Sequence, residues 1–123
     1  MSTHTIMANS FEVQNKPEYS VIRFYGFVDA GSVEHARPII AAKIPTYCAN
    51  IVIDLANVEF LDSHGIGFFV SLLKRAHAQK GRLIFVGAAA QPASVLNMVG
   101  FSSSLITYCE NVEQAETALT AKK

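Results

Sequence analysis

A chain of 123 residues, half of them hydrophobic and 16% charged, is sized for one domain and is too apolar to stay disordered over most of its length. Ten Lys and Arg balance ten Asp and Glu, so no net field draws in a polyanion and direct nucleic-acid binding is not expected. Met1 to Ser10 lacks the basic start and apolar run of a signal peptide. The longest apolar run, Ile66 to Leu73, is broken by Gly67 and Ser71 and falls short of the roughly 20 residues that cross a bilayer, so a cytoplasmic protein without membrane insertion is expected.

In chain order, residues 1–10 read as a flexible tail and 11–120 as the folded domain, with 121–123 a loose end. Phe11 to Gln14 and Ser20 to Tyr25 carry the branched and aromatic residues of strands, and Lys16-Pro17-Glu18 between them predicts a hairpin turn. Gly26 is expected to close the second strand. A helix follows Asp29 with Val33, Ala36 and Ile40 on one face; Pro38 predicts that it starts late or is kinked, and Pro45 ends it. Ile51 to Leu55 is a nearly unbroken apolar run, as in a strand buried on both faces. After a short loop, Ser63 opens an amphipathic helix with Ile66, Phe69, Val70 and Leu73 inward, Lys74, His77 and Lys80 outward, and Gly81 as its stop.

Leu83 to Val86 predicts another buried strand. Gln91 to Val99 reads as a short helix, with Val95, Leu96 and Val99 inward and Gly100 at its end. Leu105 to Tyr108 is the last strand, and Asn111 with Gln114 three residues on forms a capping-box pattern ahead of a terminal helix that faces Val112, Ala115 and Leu119 inward. Strands separated by helices pair in parallel through right-handed crossovers. The fold class expected is therefore α/β: a mixed β-sheet with a leading hairpin and about four helices packed mainly on one face. Cys48 and Cys109 stand apart, with no Cys or His at metal-ligand spacing, and read as reduced packing thiols; no metal and no cofactor are expected.

The stretch with chemical content runs from Asp54 to Gly67, from a buried strand through a loop into a helix start led by Asp62 and Ser63. The first helical turn offers free N–H groups and a partial positive charge, so Ser63 can sit as its cap and a phosphate there is electrostatically tolerated. Gly65 and Gly67 keep side-chain bulk away and let another protein approach. By itself, Asp-Ser before an amphipathic helix is an ordinary N-cap worth about 1 kcal/mol. The Gly-x-Gly of Gly65 to Gly67 lacks the further glycines or Lys-Ser/Thr of a phosphate-cradling loop. Asp29 and Asp62 form no catalytic pair on this reading, since no nucleophile, base or metal ligand accompanies them.

Asp62-Ser63-His64-Gly65-Ile66-Gly67, preceded by Ile51 to Leu55 and Val58-Glu59-Phe60-Leu61, closely resembles the STAS family, whose name joins sulfate transporters and anti-sigma factor antagonists. Gly26-Phe27-Val28-Asp29, Lys80-Gly81-Arg82-Leu83 and Leu96-Asn97-Met98-Val99-Gly100-Phe101 resemble its other signatures, and the likeness spans Phe11 to about Leu119. Resemblance to the stand-alone antagonists implies a STAS-like domain that is not an enzyme, with Ser63 as phosphoacceptor and Asp29, Asp62, His64, Gly65 and Gly67 as a partner-binding surface. It also implies three partners: an anti-sigma factor that is a serine protein kinase, the sigma factor freed when the unphosphorylated antagonist binds that kinase, and a metal-dependent serine phosphatase of the PP2C type. Phe27 stands where the family usually has a glutamate, and His64 where it usually has a small or hydroxyl residue. Two other functions fit the same sequence: a scaffold subunit of a lipid-moving ABC transporter, and an anion or nucleotide binder using the helix start.

Overall fold

Each strand owes its place to residues that bury on one or both faces, and the order in which they pair places the helix starts. The computed structural model describes residues 10–98 and 106–120. Strands β1 (Phe11–Asn15) and β2 (Ser20–Val28) form the expected hairpin, closed by the Lys16 N–H donating to the Tyr19 carbonyl at 2.8 Å. Strands β3 (Ile51–Leu61), β4 (Leu83–Val86) and β5 (Ile106–Cys109) complete a mixed sheet of order β1-β2-β3-β4-β5. Only β1–β2 is antiparallel, because the later strands are each reached through a helical crossover. The helices are α1 (Ala30–Lys43), α2 (Ser63–Ala78), α3 (Ala90–Met98) and α4 (Val112–Thr120).

One sheet face carries the main core, built from Ile22, Phe24 and Val28 of β2, Ile51, Ile53, Leu55, Val58 and Leu61 of β3 and the inner faces of α1, α2 and α3. Among the described residues the other face is covered by α4, which lays Ala115, Val112 and Leu119 over Tyr19, Val21, Val52, Ile84 and Val86. Farther along that face Arg23 and Asp54 form an ion pair at 3.2 Å.

Several elements differ from the sequence reading, each for an identifiable reason. Strand β2 does not close at Gly26: it runs through that residue, at φ 81, to Val28. Strand β3 takes in residues 56–61, expected as a loop, because two shifts of register return Val58 and Leu61 to the core face. Helix α1 starts at once after Asp29, whose carboxylate accepts from the Ser32 N–H at 3.1 Å while the Ser32 hydroxyl accepts from the Asp29 N–H at 2.9 Å. Pro38 is interior to it and exposed, as is Glu34, whose carbonyl the proline leaves without a donor.

Helix α2 buries Gly65, Phe68, Phe69, Leu72 and Ala76, a stripe turned by about one residue from the expected one, with Ile66, Val70 and Leu73 flanking it half-buried. Its stop is a Schellman turn in which Lys80 takes the left-handed backbone (φ 63) and the Gly81 N–H reaches the Ala76 carbonyl at 2.8 Å; Gly81 is held instead by its close approach to Ala49. Asn111 caps α4, yet the Gln114 side chain accepts from the Glu110 N–H, one residue before the cap. Residues 1–9 of the expected tail, Val99 with Gly100 and Phe101, Leu105 and residues 121–123 lie outside the described residues.

Phe69 is fully buried, with ring centroids 5.7 Å from Phe24, 6.4 Å from Phe68 and 5.4 Å from Phe85. Removing that ring leaves a cavity where strands and α2 meet. Phe69→Ala is expected to cost about 3–5 kcal/mol and Phe69→Leu clearly less, as read by urea unfolding.

Candidate functional site

Strands β2 and β3 lie side by side in parallel and end in register, Val28 opposite Leu61. Each apolar residue is followed by an aspartate that caps the next helix, so Asp29 and Asp62 stand together at one end of the sheet. The Asp62 N–H donates to the Val28 carbonyl at 3.2 Å and ties the two turns to each other. Two β-strand exits and two helix starts therefore share a small area of surface.

At α2 the cap is Asp62, with extended backbone, and Ser63 is the first helical residue; the reading of Ser63 as cap is corrected. One Asp62 carboxylate oxygen accepts from the His64 N–H at 2.9 Å and from the Gly65 N–H at 3.2 Å. The cap is thus complete without the serine. Ser63 is exposed, and among the described residues no hydrogen bond engages its hydroxyl. An aspartate satisfies the orphan donors of the first turn, and the neighbouring hydroxyl stays available for chemistry.

His64 projects into solvent with its side chain 62% exposed and Nδ1 3.6 Å from the other Asp62 oxygen. Gly65 does not belong to the surface: it is buried, and a Cβ there would lie 2.9 Å from both the Val28 carbonyl oxygen and its Cγ1 and closer still to Leu61. Its missing side chain lets α2 settle onto the strand ends rather than letting a partner approach. Gly67 is exposed with open space around it, so it does leave the second turn of α2 bare.

Both carboxylates are engaged in helix caps, which argues against a catalytic acid pair. Among the described residues no group of three His, Cys, Asp or Glu is placed to hold a metal ion. No described helix is long and apolar enough to cross a membrane.

Three features escape sequence reasoning. Gln91, at the start of α3, clasps Leu61 from both sides: its amide donates to the Leu61 carbonyl at 3.0 Å and its oxygen accepts from the Leu61 N–H at 2.9 Å. Strand β4 has ended at Val86, so the side chain completes the ladder that no strand continues. Phe27 and Phe60 are opposite one another in the β2–β3 register and form an exposed aromatic pair, centroids 5.5 Å apart, just short of the two aspartates. A groove of about 340 Å³ lies against α1, lined by Ala30, Val33, Glu34 and Arg37, with His64 as its border on α2. The 30, 33, 34, 37 spacing is visible in the sequence as one helix face, but nothing there shows what it faces.

The STAS domain family model matches residues 10–115. The chain belongs to the STAS domain family. An anti-sigma F factor antagonist of Lysinibacillus sphaericus is 29% identical over 99 residues, covering 80% of this chain and 83% of its own. The solved structure of the anti-sigma factor antagonist SpoIIAA in its unphosphorylated form has the same fold, with a TM-score of 0.71 and 20% identity over 92% of this chain and all of that one. SpoIIAA of Bacillus in the phosphorylated form also shares it, with a TM-score of 0.69 and 21% identity over 89% of this chain and 99% of that one.

The two cap-side residues have separable roles. Asp62→Ala is expected to lower stability by about 1 kcal/mol, whereas Ser63→Ala should change it by less than about 0.5 kcal/mol, both read from chemical unfolding. Gly65→Ala should destabilise by about 1–3 kcal/mol, because the added methyl meets backbone and a packed valine; a circular-dichroism melt measures it, and an unchanged midpoint would show that the joint yields freely.

Proposed function

We propose that this chain is an anti-sigma factor antagonist that works as a partner switch, controlled by a phosphate on Ser63. It is a regulatory protein rather than an enzyme. The observation that carries the reading is the division of labour at the start of α2: Asp62 holds the helix, and the exposed hydroxyl beside it is not needed for the fold. The curated relative is named an anti-sigma F factor antagonist, which supports the same role.

In the unphosphorylated state, the area around Asp29, Asp62, Ser63, His64 and the bare Gly67 docks on a serine kinase that also serves as anti-sigma factor, and the bound sigma factor is released. The kinase then transfers the γ-phosphoryl group of ATP. The Ser63 oxygen forms the new O–P bond, the bond to the β-phosphate oxygen breaks, ADP departs, and the hydroxyl proton passes to a base of the kinase. A metal-dependent serine phosphatase of the PP2C type reverses the modification. These partners place the protein in the cytoplasm.

The switch needs no refolding. A phosphate at the first helical residue sits in the favourable field of the helix start, so the folded state tolerates it. It nevertheless adds about −1.5 to −2 charges next to Asp62 on a surface that must exclude water to bind. A hundredfold loss of affinity corresponds to only about 2.7 kcal/mol, within reach of one lost hydroxyl contact and one misplaced dianion. Both forms of SpoIIAA share the fold of this chain, which supports a change of charge rather than of shape.

The test is to incubate the chain with the kinase and ATP and to map the product by intact mass and peptide digest. The expected result is a single phosphate on Ser63; a phosphate placed elsewhere, or none, overturns the assignment. In equilibrium binding, Ser63→Ala should hold the kinase with or without ATP, and Ser63→Asp should bind at least about tenfold more weakly. Equal binding by the two variants would remove the charge argument.

A further inference from the structure

Arg37 is placed as though for an anion that the chain itself does not supply. Its guanidinium lies 4.9 Å above the Phe68 ring, and one terminal nitrogen donates to the Ser71 hydroxyl at 3.4 Å. Both contacts are to α2, so the side chain leans across from α1 and its head is held there. Attraction to an aromatic face holds a guanidinium in place while leaving further N–H donors open. Among the described residues no carboxylate lies within ion-pairing distance: the two ion pairs join Arg23 to Asp54 and His64 to Asp62. Glu34, one turn earlier on the same helix, lines the groove yet does not pair with it.

The groove in front of Arg37 has an apolar floor in Ala30 and the buried Val33, and its α2 border is His64, the residue next to the phosphoacceptor. Lining and charge together define what fits: an apolar body against Ala30 and Val33, with a carboxylate at the Arg37 end. Glu34 on the same helix opposes an acid placed elsewhere in the groove, so the position of the charge is specified as well as its sign.

We propose that this groove receives an acidic side chain of the partner kinase, flanked by apolar residues, and that Arg37 is its anchor. The proposal rests on the partner-switch reading and deepens it, because it names the group on the partner that senses the phosphate. A dianion on Ser63 stands one residue from the His64 rim of the groove, and charges act over roughly 8–10 Å at ordinary ionic strength. It repels the incoming carboxylate and opposes the attraction of Arg37. Release on phosphorylation is then like-charge exclusion from one slot.

The experiment measures binding of the purified kinase, identified as the protein that phosphorylates Ser63, to full-length chain carrying Ser63→Ala, by calorimetry without ATP. Into that background go Arg37→Glu, Arg37→Ala and, as a charge-matched control in the distant hairpin turn, Lys16→Glu. Arg37→Glu is expected to weaken binding by about tenfold or more, Arg37→Ala by less, and Lys16→Glu by less than about twofold. The affinity of the Arg37 protein should fall more steeply between low and high NaCl than that of the Arg37→Ala protein, a readout that a purely structural role of Arg37 would leave unmoved. Melting curves confirm that each variant is folded.

A kinase carrying Glu→Lys or Asp→Lys at the docking acid should regain affinity for Arg37→Glu, and this exchange settles the pairing. If the unmodified chain binds no such kinase, the partner-switch reading itself fails. If it binds and Arg37→Glu binds equally well, or if the loss is matched by Lys16→Glu, the groove inference alone is overturned.

Discussion

The structure depends on how closely the first turn of α2 can sit on the ends of β2 and β3. Gly65 makes that approach possible, with Val28 and Leu61 filling the space a side chain would need. From this joint follow the direction of α2, the burial of Phe68, Phe69 and Leu72 beneath it, and the outward exposure of Ser63 two residues earlier. Seating the helix deeply turns its opening residues outward. The geometry that protects the core is the same geometry that presents the hydroxyl.

Two helix caps occupy the same end of the sheet, and their carboxylates are structural before they are anything else. Asp29 and Asp62 stabilise α1 and α2 by accepting from backbone N–H groups. Because they are fixed in that way, the negative charge they contribute to the surface is also fixed. On the proposed function, a partner would meet a fixed pattern in which one neutral group, the serine, gains charge. That arrangement suits a switch read by electrostatics, since nothing else at the site has to move.

Much of this was legible in the residues. Ile51 to Leu55, broken only by Asp54, and Leu83 to Val86 are apolar runs, and such runs have few alternatives to a buried strand. Asp62 and Ser63 ahead of a long amphipathic stretch marked the start of α2 and with it the candidate site. Residues 56–61 were not legible as strand, because Leu55, Val58 and Leu61 are spaced by three and only bulges against β2 bring them to one face. The face of α2 was off by about one residue, since Ile66, Phe68, Phe69, Val70, Leu72 and Leu73 permit two apolar stripes and Gly65 decides between them. Pro38 argued for a late or kinked α1, but the exposed side of that helix accommodates the missing donor. The Arg37 groove depends on the packing of two helices far apart in sequence, which no local pattern encodes.

Gln91 has a mechanical meaning. Its amide grips both backbone groups of Leu61, the residue just ahead of the Asp62 cap, at a point where β3 has β2 on one side and no strand on the other, since β4 has ended. Thirty positions of chain are thereby reduced to a single handclasp. Displacing α3 would strip the strand end of both bonds at once, so the seating of α3 and the turn that leads into α2 are mechanically coupled.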